Sequence, residues 1–129
     1  MCTGTQESIV RAPPSLQLTS YRFDFTTMAP IKVGVIGYGF AAKSFHLPFI
    51  NAIPDYEVVA ILQRAEAPAD PASVAKGTHC TVDFPKVKHH RTAEDFFANS
   101  DINFVVVASH ADTHVSFAER ALKAGKHGA

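Results

Sequence analysis

Two short stretches of this chain have the residue types and spacing to do chemistry. The first is Gly37-Tyr38-Gly39-Phe40-Ala41-Ala42, a G-x-G-x-x-A pattern. Gly37 permits a tight turn, Gly39 lets a pyrophosphate approach the backbone, and Ala42 lets a helix pack close to a strand. A helix opening at this point offers unpaired N–H groups and partial positive charge to phosphates. A bare glycine cluster is a common turn, so the pattern gains its meaning from a strand before it and a helix after it. The second stretch is Gln63-Arg64. Sites for the unphosphorylated dinucleotide usually place Asp or Glu there, at the end of the second strand, on the ribose hydroxyls. Gln63 can bond a hydroxyl without repelling a 2′-phosphate, and Arg64 can pair with that phosphate. NADP is therefore favoured over NAD. The plainer alternative is a solvated Arg64 and a site that accepts either.

The chain has seven histidines, which raises the question of a metal. His110 and His114 are four apart, but His110 falls in a loop. His89 and His90 are adjacent on a strand and so point to opposite faces. No Cys or carboxylate stands at metal spacing beside them, and no metal is expected. His114 is expected to face the crevice at the C-terminal end of the sheet, where open α/β folds bind ligands. His46 is expected to be packing or surface.

The elements that must carry these residues follow from the apolar pattern. Ile31–Ile36 reads as a buried parallel strand. Phe40–Ala52 reads as a helix with Phe45, Phe49 and Ala52 on its apolar side, kinked or shortened by Pro48. Tyr56–Leu62 is a second strand. Residues 63–77 read as a loop with a short helix near 72–76, and 79–85 is ambiguous between strand and loop. Val87–His90 is a third strand. Thr92 opens a helix to about Ala98, with Asp95 at the capping-box position. Asn103–Ala108 is a fourth strand, apolar enough to be buried on both faces. Asp112 or Thr113 caps a last helix with Val115, Ala118, Ala121 and Leu122 inward, and Gly125 stops it. Strands alternating with helices predict an α/β fold, a Rossmann-type doubly wound parallel sheet with right-handed crossovers.

The whole chain sets outer bounds. Its 129 residues suit about one domain, and 47% are hydrophobic, enough for a core. The twelve basic and twelve acidic residues cancel, which gives no footprint for nucleic acid. No apolar run approaches the roughly 20 residues of a membrane span. Two cysteines, Cys2 and Cys80, without a C-x-x-C fit a reducing, cytoplasmic setting. Residues 1–29 read as a disordered or artefactual extension. They lack an apolar signal core and a basic amphipathic face, and Met28 is the favoured initiator. Residues 30–129 are the nucleotide-binding part.

Five segments in order carry a family resemblance. They are Ile31-Lys32-Val33-Gly34-Val35-Ile36-Gly37-Tyr38-Gly39, His46-Leu47-Pro48, Phe104-Val105-Val106-Val107-Ala108-Ser109, Thr113-His114, and Ala121-Leu122-Lys123-Ala124-Gly125-Lys126-His127. Together they resemble the N-terminal domain of Gfo/Idh/MocA oxidoreductases, in the style of fungal members. The resemblance implies a Rossmann domain paired with a C-terminal α/β substrate domain. It implies hydride transfer between NAD(P) and a carbonyl or hydroxyl, often on sugars or polyols. It also implies that the loop Ser109 to His114 touches the cofactor. This chain has Ser109-His110 where the family usually has Thr-Pro, so the hydroxyl is kept and the proline lost.

The family continues past a segment like Ala124–His127 into a fifth strand and a Glu-Lys-Pro motif holding the catalytic lysine. Here Gly128-Ala129 follow, so no catalytic residue is assigned. The expectation is a catalytically incomplete chain holding the first four β-α units in the order 3-2-1-4. Its substrate would be engaged only in a longer form. Strand four would be an exposed apolar edge, prone to self-association. Two other readings stand beside this one: a non-catalytic nucleotide-sensing regulator, and an inert α/β domain with a vestigial glycine turn.

Overall fold

In a computed structural model of the protein, residues 29–129 are described, and the readings of Met1–Thr27 and of Met28 as initiator lie outside them. The elements alternate as the apolar pattern requires. β1 (Ile31–Ile36) leads through a π-helical turn (Ala42–His46) into α1 (Leu47–Ala52). β2 (Tyr56–Leu62) is followed by a 3₁₀ turn (Pro71–Ser73) and α2 (Cys80–Asp83). β3 (Lys88–His90), α3 (Ala93–Ala98) and β4 (Phe104–Val107) come next. A 3₁₀ turn (Ala111–Thr113), α4 (His114–Lys123) and β5 (His127–Gly128) close the chain. Among the described residues, no helix is long and apolar enough to cross a membrane.

The strands form one parallel sheet in the order β3-β2-β1-β4-β5. The first four places are the expected ones. The fifth strand corrects the expectation of a bare fourth. His127 N–H donates to the Asn103 carbonyl, Ala129 N–H to Val105 and Val107 N–H to Ala129, each at 2.9 Å. These bonds occupy the outer edge of β4. Gly125 makes them reachable. At φ +75° it lets the chain reverse after α4, with Gly125 N–H on the Leu122 carbonyl and Lys126 N–H on Ala121. This is a Schellman stop, and it delivers the chain to the sheet edge.

The sheet is buried on both faces. Val33, Val35, Val58, Ile61 and Val106 pack with Tyr38, Ala42, Leu47 and Cys80 on one side. Ile36, Ala60, Leu62 and Val105 pack with Phe96, Ile102 and Ala121 on the other. Val58 and Ile61 share a face despite their odd spacing. The register slips there: Val33 pairs with Val58 and Gly34 with Ala60, so Val59 is a bulged residue. A bulge switches side-chain parity. Gly34 has its own packing reason, since a Cβ there would lie 2.6 Å from the Phe96 ring.

Several helical expectations are corrected. The helix after β1 turns Ala42, Leu47 and the half-buried Ile50 inward, and leaves Phe45 and Phe49 exposed. The π turn is the reason. Pro48 has no N–H for the Ser44 carbonyl, and Leu47 N–H instead reaches Ala42 five residues back. The extra residue rotates the expected stripe outward. In α4, Phe117 and Ala121 pack inward while Val115 and Leu122 are exposed. The preceding 3₁₀ turn carries no side-chain cap from Asp112 or Thr113. The short helix expected near 72–76 is the 3₁₀ turn at Pro71–Ser73, and the ambiguous 79–85 segment contains α2. Thr92 does cap α3, its Oγ1 accepting from Asp95 N–H at 3.2 Å.

Candidate functional site

The parallel strands end together, and the singled-out residues sit at those ends. β1 delivers the glycine turn. Gly37 has φ +98°, and a Cβ there would lie 3.0 Å from the Ala108 carbonyl oxygen. Its N–H donates to Leu62 while Ala108 N–H donates to Ile36. The fold itself therefore requires glycine at 37. Gly39 is different. Its φ is not in the left-handed region, and a Cβ there would meet nothing within 4 Å. Neither backbone conformation nor packing demands glycine at 39, which leaves the approach of a ligand. Gly39 accepts the first helical bond, from Lys43 N–H at 3.1 Å. The N–H groups of Phe40, Ala41 and Ala42 therefore have no intrahelical partner. Ala42 is fully buried against the sheet, as close helix–strand packing requires. These features fit the pyrophosphate of a dinucleotide, which Gly37–Ala42 would hold by main-chain groups.

The side chains of this turn do not all serve that purpose. Tyr38 points into the core. Its hydroxyl donates to Asp83, and its ring meets Phe84 edge-on. Burial first, and then the hydrogen bond to Asp83, push its pKa upward. Asp83 also accepts from Gly77 N–H at 2.9 Å, so Tyr38 ties the turn to the β2–β3 connection. Its contribution to a ligand is limited to its backbone. Phe40 is 74% exposed, with its ring against Phe45.

At the end of β2 the two chosen residues divide. Gln63 turns inward: its Oε1 accepts from Cys80 N–H at 2.9 Å, which holds the start of α2. Gln63 thus has a structural partner that its place in the sequence did not announce, and its amide nitrogen lies 3.5 Å from the Thr78 carbonyl. Arg64 is exposed, and among the described residues its guanidinium has no ion-pair partner. No carboxylate stands beside it in the Gln63-Arg64-Ala65 sequence.

Behind Arg64 the structure assembles residues that spacing did not reveal. His89 Nε2–H donates to the Gln63 carbonyl at 2.8 Å, Arg91 Nε–H to Arg64 at 3.2 Å, and His79 Nε2–H to Ala65 at 3.2 Å. His79 Nδ1 accepts from Thr81 N–H, which fixes the proton on Nε2. The His79 and His89 rings meet edge-to-face at 4.6 Å. His79, Cys80 and His89 place ligand atoms within 4.8 Å of one another. The reading that no Cys accompanies the histidines is thus corrected. Three of the trio's ring nitrogens also make structural hydrogen bonds. Both Nε2 atoms hold carbonyls and His79 Nδ1 caps α2, while burial pushes the Cys80 thiol up to about 11. As expected, His89 and His90 take opposite faces: His90 packs on Phe96.

After β4, Ser109 Oγ and Thr113 Oγ1 share a 2.7 Å hydrogen bond, and Thr113 Oγ1 also lies 2.7 Å from the His110 carbonyl. His114 Nε2–H donates back to the Ser109 carbonyl at 2.8 Å. Without proline, side chains brace this loop. His110 is exposed at its tip.

Comparison with known proteins agrees with this geometry. The family model described as oxidoreductase family, NAD-binding Rossmann fold (GFO_IDH_MocA) matches residues 31–128. An uncharacterised oxidoreductase of Schizosaccharomyces pombe is 36% identical over 101 residues, covering 78% of this chain and 26% of the relative. The chain thus spans about a quarter of the length of that relative. A 3-ketoreductase from Actinomadura kijaniata, solved with NADP and TDP-benzene, superposes with a TM-score of 0.62 at 29% identity, covering 77% of this chain and 28% of that one. A protein of gentamicin A biosynthesis, solved with NAD, has a TM-score of 0.62 at 26% identity, covering 78% and 26%. With its glycine turn, its sheet order and this match, the chain belongs to the Gfo/Idh/MocA oxidoreductase family and carries that family's NAD-binding Rossmann fold.

Proposed function

We propose that this chain is the nucleotide-binding part of an NADP-linked oxidoreductase. The longer enzyme moves hydride between the cofactor and a carbonyl or hydroxyl on a sugar- or polyol-like substrate. The observation that carries the cofactor preference is Arg64. It stands exposed at the end of β2 on a pinned backbone, where an NAD site would place a carboxylate. The ketoreductase solved with NADP supports the reaction type. The NAD-bound relative shows why the residue, and not the family, must decide the cofactor.

When bound, the nicotinamide supplies or accepts the hydride. The chain's own residues bind and orient the cofactor. Gly37–Ala42 present main-chain N–H groups to the pyrophosphate, and Arg64 meets the 2′-phosphate. The braced Ser109–His114 loop flanks the crevice beyond β4.

Titration of the chain with NADP and NAD tests the preference. Wild type binds NADP more tightly. Arg64→Ala lowers NADP affinity about ten- to a hundred-fold, the range of a charge-assisted hydrogen bond worth about 1.5–3 kcal/mol, and leaves NAD unchanged. Equal affinities for both cofactors in wild type would overturn the NADP reading.

A further inference from the structure

We propose that Arg91 is a second specificity-determining residue. Its guanidinium and that of Arg64 together form a two-cation receptor for the phosphomonoester on the ribose 2′ position. The inference rests on the NADP reading above and adds to it a residue from a different strand.

The sheet places the two arginines side by side. β2 and β3 are parallel, with Leu62 opposite His90. Arg64 leaves β2 two residues beyond that pair, and Arg91 leaves β3 one residue beyond it. Both are exposed. Among the described residues, the ion pair formed is that of Arg120 with Glu94 on the far face; neither Arg64 nor Arg91 takes part in one. Two arginines at neighbouring strand ends, neither in an ion pair among the described residues and one bonded through Nε to the backbone of the other, suit a ligand with close to two negative charges, which a phosphomonoester carries near neutral pH.

The arrangement is built and not merely exposed. Three consecutive carbonyls, Gln63, Arg64 and Ala65, each accept from a side chain of another segment. His89 and Arg91 come from β3 and the residue after it, and His79 from the start of α2. Arg91 spends its Nε–H on the Arg64 carbonyl. Its two terminal nitrogens remain for a phosphate, in the planar fork that favours bidentate contact. Arg91 thus both positions Arg64 and adds its own charge. A lysine here would have to serve the carbonyl and the phosphate from one ammonium, without the planar fork that lets arginine hold a carbonyl through Nε and a phosphate through its terminal nitrogens.

The test is titration of the chain with NADP and with NAD, on wild type, Arg64→Ala, Arg91→Ala and Arg91→Lys, with thermal melting to confirm that each variant folds. Arg91→Ala is expected to lower NADP affinity ten-fold or more and to leave NAD affinity within two-fold. Arg91→Lys is expected to recover only part of the loss. Adenosine 2′-monophosphate should displace NADP from wild type better than the 5′-monophosphate, and lose that advantage in Arg91→Ala. Equal loss of both cofactors in Arg91→Ala would make Arg91 a structural residue and overturn the proposal. So would unchanged NADP affinity. If Arg64→Ala is selective for NADP while Arg91→Ala is not, the receptor has one cation and only this inference fails. If wild type does not prefer NADP, the cofactor reading fails, and this inference with it.

Discussion

Two glycines two positions apart do different jobs, and substitution separates them. Gly37 is held at φ +98° with the Ala108 carbonyl against it, while Gly39 faces open space. Gly37→Ala is expected to destabilise the fold by about 1–3 kcal/mol, the range for a residue forced into a strained conformation. Gly39→Ala is expected to leave the denaturation midpoint unchanged or slightly raised, and to weaken dinucleotide binding through the added methyl. Urea melts and cofactor titrations on the pair check this. If Gly39→Ala weakened folding as much as Gly37→Ala, Gly39 would be structural. The glycine pattern was legible in the sequence because turn and phosphate chemistry are local. The roles of Tyr38 and Gln63 were not. Each is committed to a partner far along the chain, Asp83 and Cys80 respectively, and no local pattern announces such a pairing.

Between elements, β3 shows how one short strand serves two faces. His89 supports the Arg64 loop, while His90 packs on Phe96 with its Nε2 accepting from Asn99 Nδ2 at 3.1 Å. Burial lowers the His90 pKa, Lys88 adds to the effect, and Asp95 opposes it. The folded state therefore holds His90 neutral where the unfolded chain would protonate it. The unfolded state binds more protons as pH falls through about 6.5. This contribution to stability is thus fully present above that pH and is lost as pH drops toward the lower folded value. His90→Gln keeps an acceptor for Asn99 and cannot protonate. Melting at pH 7.5 and 5.5 should show wild type losing more stability on acidification than the variant, and equal losses would rule the idea out. A buried cation nearby is stabilised differently. Lys126 Nζ donates to the Asn99 and Ile102 carbonyls at 2.8 and 3.1 Å, closing the α3–β4 connection without a carboxylate.

At the scale of the whole molecule, the last residues seal the sheet. The outer edge of β4, with the apolar Phe104–Val107, is covered by bonds from residues 127–129. A chain ending at Lys126 would expose those groups. It is expected to melt lower and to associate with rising concentration in light scattering, as a bare apolar edge does. A monodisperse shortened chain of unchanged stability would show that the fifth strand contributes nothing.

The sequence by itself determined the alternation of strands and helices, the two buried faces of the sheet, the glycine turn, the Thr92 cap and the Gly125 stop. Each depends on residues within a few positions of one another, where backbone geometry and side-chain period act directly. Tertiary structure decided the rest. The π turn before Pro48 chose which face of the first helix is buried, and the Val59 bulge reset the parity of β2. The parallel pairing of β2 with β3 brought His89 and Arg91, and the start of α2 brought His79, to the carbonyls around Arg64, across 14 to 27 positions of sequence. Contacts at such separations exist only once the sheet has closed, because strand register, and not proximity along the chain, sets which ends meet.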